Sequence, residues 1–309
     1  MDVVNFAKIT RLELLVASWR QIFKRVAYWT LPLGIQDIVR ARLRQNSVAE
    51  RSVAAEDRAT LERNRELCNR HAGERCFILA AGPSIKRQDL KLLQGETCIA
   101  VSNFFVHPDF AVIRPRYYCL APYHPPITEE AWRSWLAETE AGSGDAVMFF
   151  GLEDQQRNRW NGLFAGRQVH YLRCGGDSWE PLLIHGVDLT RSVPGPQSVT
   201  IMALLAALYM GFGEVYLLGC DHDWILHLNA SSHFYDEDQH TLNRHGYNEW
   251  LGADLEYYCQ CYIRLWQQYK ALRQIADGQS VRIYNATDGG LLDVFPRVKF
   301  ESLFDRKVL

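Results

Sequence analysis

Three ionisable residues, Asp221, His222 and Asp223, follow directly on the apolar run Val215-Tyr216-Leu217-Leu218 and the pair Gly219-Cys220. Two carboxylates flanking an imidazole can hold a hard cation, bind a sugar hydroxyl or move a proton. Read as D-x-D, Asp221 and Asp223 would carry Mg²⁺ or Mn²⁺ against a diphosphate. The pattern is short enough to arise by chance, so its context decides. A short apolar run after the helical segment Val199–Met210 reads as a buried parallel strand. Ligands of open α/β sheets sit beyond the carboxyl ends of such strands.

Other stretches end in the same way. The run Cys76–Ala81 leads into Gly82-Pro83-Ser84, where Gly82 permits a tight turn and Pro83 suits the first turn of a helix. The amides around Ser84 and Ile85 are then expected to be free for an anion. The sequence is neither G-x-G-x-x-G nor a Walker loop, so no dinucleotide or P-loop site is indicated. Val101-Ser102-Asn103 closes the next strand; Asn103 can bond a ribose or a base edge, or cap the next segment of chain. Ser192 to Ser198 (SVPGPQS) opens an apolar helix, and Gln197 and Ser198 put amides and a hydroxyl at its start. Ile283 to Gly290 (IYNATDGG) ends a last strand, where Asn285 can read a nucleobase or sugar, or close an Asx turn. Five of the ten histidines, His222, His227, His233, His240 and His245, fall in one polar segment of no clear period. A near-neutral imidazole suits taking a proton from an attacking hydroxyl, and His233 and His245 are the leading candidates.

Seven candidate strands position these residues: Cys76–Ala81, Thr97–Val101, Tyr117–Leu120, Ala146–Phe150, Val169–Leu172, Val215–Leu218 and Ser280–Tyr284. Helical patterns over Thr128–Glu140, Gln197–Met210 and Leu251–Ala276 alternate with them. The expectation is an α/β, Rossmann-like domain over residues 75–309, its sheet mostly parallel with helices on both faces. A lid is expected at about 222–250, since long irregular segments beside strand ends are usually functional. Residues 1–74 read as an N-terminal helical extension.

The 309 residues carry a net charge of -2, which argues against nucleic acid as a partner. Cys76, Cys98, Cys119 and Cys220 lie in apolar runs, no C-x-x-C occurs, and Cys259-x-Cys261 alone is a weak zinc signal. A reduced, cytoplasmic protein without a structural metal is expected. Ile9, Leu12, Val16, Trp19, Phe23 and Val26 recur at helical steps among Lys8, Arg11, Arg20, Lys24 and Arg25. Such a basic stripe, over residues 5–30, can lie on the inner face of the cell membrane, pack on the α/β domain or form a contact between copies in a homo-oligomer.

Taken in order, these motifs resemble a known group. GPS after the first strand, Asn after the second, a Gly/Ser loop before an apolar helix, and then hydrophobic-x-G-x-D look like the bacterial sialyltransferases of glycosyltransferase family 42. Asn229 to Asp236 reads NASSHFYD where those enzymes have NGSSYAFD. The closing YNATDGG also looks like the MptE-like family, which includes motility accessory factors. The similarity spans about residues 75–300.

The resemblance implies a GT-A-related domain that binds a CMP-sugar without requiring a metal and passes a sialic acid-like sugar to a glycan or glycolipid acceptor. Carried over, Gly82, Pro83 and Ser84 would meet the nucleotide, Asn103 the ribose or sugar, and Gln197 and Ser198 the phosphate or carboxylate. His233 falls where the family has a tyrosine that steadies the departing phosphate. His245 is nearest in order to the family's histidine base. The family's second asparagine falls near Pro122. Two other readings stay open: a metal-dependent diphosphate-sugar transferase or MptE-like pyrophosphokinase using Asp221 and Asp223, and an inactive, membrane-docked scaffold of the same fold.

Overall fold

Long apolar runs become strands buried on both faces. The computed structural model has β1 (Arg75–Leu79), β2 (Cys98–Val101), β3 (Tyr117–Cys119), β4 (Val147–Gly151), β5 (Val169–Leu172), β6 (Glu214–Leu218) and β7 (Arg282–Asn285). All are parallel, in the order β5-β4-β3-β2-β1-β6-β7. The structure describes residues 55–125, 127–176, 178–226, 233–236, 241–245 and 254–305. The expected basic amphipathic helix lies outside them.

Alternation along β1 shows how the two faces fill. Cys76 and Ile78 join one apolar cluster, Phe77 and Leu79 the other. The helices are α1 (Ala55–Glu62), α2 (Phe110–Ile113), α3 (Glu129–Gly142), α4 (Gln155–Trp160), α5 (Glu180–His185), α6 (Val199–Tyr209), α7 (Thr241–Arg244) and α8 (Leu255–Gly278). Residues of α6 and α8, such as Leu205, Leu265 and Tyr269, cover the first face. Trp132, Trp135 and Leu136 of α3 cover the second. Thr128 caps α3 by accepting from the Ala131 amide, with Glu129 and Glu130 in its first turn. Asp254 likewise caps α8 through the Tyr257 amide.

Strands β1 to β5 run outward in sequence order, and β6 then returns to the other side of β1. The chain therefore reverses its winding between β1 and β6. In doubly wound sheets the crevice at that reversal is where ligands bind. All seven expected strands are present, with ends shifted by at most two residues. Described residues ahead of β1 also pack on the sheet. His71 is buried against Tyr117 of β3 and Phe212. Leu61, Asn64 and Leu67 are buried because α1 and the 3-10 turn Arg63–Leu67 pack against β5. Asn64 donates its Nδ2 to the Tyr171 and Leu189 carbonyls, which ties the turn to this edge strand.

Candidate functional site

The loops leaving β1, β6 and β7 lock together at the reversal point. Asp221, after β6, accepts from the Ser84 amide at Oδ1 (3.1 Å) and from the Ser84 hydroxyl at Oδ2 (2.7 Å). Residues 137 positions apart are thus joined by two hydrogen bonds to a charged group, each worth about 1.5–3 kcal/mol. Gly82 approaches so closely that a Cβ there would lie 1.9 Å from Asp221 Oδ2 and 2.4 Å from the Gly219 carbonyl. From the third loop, the Leu291 amide donates to the Asp221 carbonyl (2.7 Å). Gly290, at φ +72°, packs against the Asp221 backbone. Burial pushes the Asp221 carboxyl above its usual range; the Ser84 bonds oppose this, Asp223 adds repulsion and Arg87 attraction.

This corrects one expectation. Pro83–Arg87 is a short 3-10 turn rather than an α-helix. The Ser84 amide is taken by Asp221 and the Ile85 amide faces the Gly82 carbonyl at 3.3 Å. Free amides were expected there because sequence shows a turn's donors but not the acceptor that a distant loop brings. The expected D-x-D pair is also split in role, since both Asp221 oxygens are engaged by Ser84. The intervening His222 sits at φ +47°, which turns the chain between the two acids. Its Nε2 meets the Tyr269 hydroxyl (2.7 Å), and burial holds it neutral with a pKa of about 4.

Asn103 ends β2, beside β1. Ser102 before it adopts φ +51°, and the Ser102 carbonyl accepts from the buried Tyr118 hydroxyl (2.7 Å). Asn103 is 4% exposed, and its Oδ1 accepts from the Trp135 indole of α3 (2.5 Å). Ser198 caps α6, accepting at Oγ from the Thr200 amide, while the Gln197 amide donates to Gln268 of α8. Thr200 lies beside the Cys220 thiol, so the start of α6 reaches the end of β6. Asn285 is fully buried: Oδ1 accepts from the Thr287 amide and Nδ2 donates to the Leu292 carbonyl. Of its two sequence readings, this geometry is the Asx turn, which leaves the side chain no group for a ligand.

The described parts of the lid are docked on this edge. The Phe234 amide donates to the Ala81 carbonyl (2.8 Å), one residue before Gly82. Its ring packs edge-on against Phe104 and His107, which are stacked on each other. With Phe234 pointing inward, His233 and Tyr235 stack on each other, ring centres 4.9 Å apart. Further along, Thr241 and Arg244 of α7 both bond Glu138 of α3. His245 follows α7 and is exposed.

The structure thus brings together Gly82, Pro83, Ser84 and Asp221, with Asn103, Gln197 and Ser198 at neighbouring ends of the same edge. Trp135, Phe234 and Glu138 are positioning groups that the sequence did not single out. Phe234 is buried between the half-buried His233 and Tyr235. Among the described residues there is no cluster of three or more His, Cys, Asp or Glu that could hold a metal ion. All eight cysteines are free. No helix among the described residues is long and apolar enough to cross a membrane.

No family model and no curated protein matches the chain. Among solved structures, it is similar to the sialyltransferase CstII from Campylobacter jejuni in complex with cytidine-5'-monophosphate. That match has 13% identity and a TM-score of 0.44, over 74% of this chain and 85% of that one. CstII with CMP-3FNeuAc gives 15% identity and 0.43, over 73% and 86%. CstII with a trisaccharide acceptor and CMP gives 14% and 0.43, over 73% and 86%. Identities and overlaps at this level do not place the chain in that enzyme's family.

Proposed function

We propose that the chain is a glycosyltransferase that takes a sialic acid-like sugar from a CMP-linked donor and passes it to a cell-surface glycan or glycolipid. The observation that carries this reading is the meeting of Gly82-Pro83-Ser84 and Asp221 at the β1/β6 reversal, with Asn103 beside them. These are the motifs whose order resembles the bacterial sialyltransferases. In the proposed reaction the acceptor hydroxyl oxygen attacks the anomeric carbon as the bond to the CMP phosphate breaks. CMP leaves with the bonding electrons, and His245 takes the hydroxyl proton. His233, stacked on Tyr235, neutralises charge on the departing phosphate.

One phosphate on the leaving group makes a metal dispensable. The engagement of both Asp221 oxygens by Ser84 favours that choice over a D-x-D cation site. The basic amphipathic sequence over residues 5–30 supports a cytoplasmic location on the inner face of the membrane as part of this proposal.

A nucleotide screen by thermal unfolding tests the reading. CMP at 100 times its Kd adds about 2.7 kcal/mol of stability. Stabilisation by CMP supports the proposal. Stabilisation by ATP with Mg²⁺ alone supports the pyrophosphokinase reading, and stabilisation by neither supports the scaffold.

A further inference from the structure

Asn103 combines near-complete burial with an unfinished set of hydrogen bonds. An asparagine amide has an acceptor end and a donor end, and its orientation is set by its neighbours. Here the neighbour is an indole. Trp135 Nε1 can only donate, and it lies 2.5 Å from Asn103 Oδ1. Flipping the amide would set two donors face to face, so the flip is closed. The Nδ2 end is then the one turned elsewhere, and no described residue accepts from it. Trp135 is itself rigid: it is 4% exposed, wedged against Trp132 with ring centres 5.0 Å apart, and carried on the capped helix α3.

We propose that Trp135 is a positioning residue that fixes the polarity of Asn103, so that this strand end offers a hydrogen-bond donor and selects an acceptor atom on the donor substrate. The inference rests on the proposed function for the identity of that substrate, a cytidine monophosphate ester. Acceptor atoms there include the base carbonyl and ring nitrogen, the ribose oxygens and the phosphate. Trp135 acts only through Asn103.

Three variants test the idea, read as CMP affinity by calorimetry from pH 5 to 8 and divided by the wild-type profile. N103D keeps one oxygen for Trp135 and presents the other as a bare acceptor. Its relative affinity should fall about 10-fold or more near pH 8, by about the cost of an unpaired buried group, and recover as the carboxyl gains a proton and becomes a donor. N103L should lose affinity equally at every pH. W135F should weaken CMP binding several-fold and bring no new pH dependence. An N103D profile parallel to wild type, or W135F binding as well as wild type, would overturn the polarity argument. Absence of CMP binding by the wild type would overturn the ligand assignment together with the function it rests on. The hydrogen bond itself is read without ligand: the Trp135 indole proton should exchange with deuterium more slowly in wild type than in N103L. Equal rates would overturn the positioning role.

Discussion

Replacing Gly82 by alanine isolates the packing of the site from its chemistry. Gly82 has φ -62° and ψ 149°, a conformation that alanine adopts without strain. The added methyl group, however, would sit 1.9 Å from Asp221 Oδ2 and 2.4 Å from the Gly219 carbonyl. Both are far inside the about 3.5 Å at which non-bonded heavy atoms rest. The Gly219 oxygen is backbone and already accepts from the Gly82 amide at 2.9 Å, so it cannot swing away. The Asp221 carboxylate can retreat only by giving up Ser84, which sacrifices at least one bond of about 1.5–3 kcal/mol. With overpacking added, the substitution should cost about 3 kcal/mol or more. For a unit of this size that lowers Tm by about 6–12 °C. The matched control is Gly175→Ala, whose new Cβ meets only Ser192 Oγ at 3.7 Å, and which should stay within about 0.5 kcal/mol of the parent. Calorimetry on the three proteins decides the matter. If G82A melts together with G175A, the three loops are not locked as described.

The remaining expectations concern charge and the lid. Burial holds His170 neutral with a pKa of about 4, against 6.5 when free. Since the folded value is the lower one, stability is complete above about pH 6.5 and is lost as pH falls towards 4, by at most about 3 kcal/mol. Urea midpoints followed across that window should fall less steeply in His170→Asn. Glu138→Gln should loosen α7 at a cost below about 1 kcal/mol, because the pair is half exposed. Amide exchange at Thr241–His245 should quicken while Tm hardly moves, and unchanged exchange would remove Glu138 as the anchor. His245→Ala should lower kcat by about 10²–10⁴ with donor affinity kept, the usual cost of losing a general base. His233→Ala should weaken donor binding as well; equal and small effects from both would make these histidines structural.

Much of the fold was legible because its signals are long. Runs such as Cys76–Ala81 and Val215–Leu218 are apolar without alternation, as strands buried on both faces must be, and each ends in polar or glycine-rich sequence. The rule that ligands gather at carboxyl ends then put Ser84, Asn103 and Asp221 on one edge. The features hidden from the sequence are pairwise. That Asp221 takes the Ser84 amide depends on the register of β1 against β6, which no local pattern encodes. Trp135 is one of nine tryptophans, and only the crossing of α3 over the end of β2 singles it out. An Asx turn and a ligand contact use the same amide of Asn285, so sequence alone does not distinguish them. The packing of Leu61 and Asn64 on the sheet edge is hidden by the charged residues around them in α1 and the turn that follows.

The most direct measurement is release of CMP from CMP-sialic acid by the full-length protein, with EDTA present and with Mn²⁺ added. The account predicts that CMP appears at the same rate in both conditions and that His245→Ala slows it. Release that vanishes with EDTA and returns with Mn²⁺ would put a cation back on Asp221 and Asp223. No release in either condition, with AMP formed from ATP instead, would contradict the account at its centre.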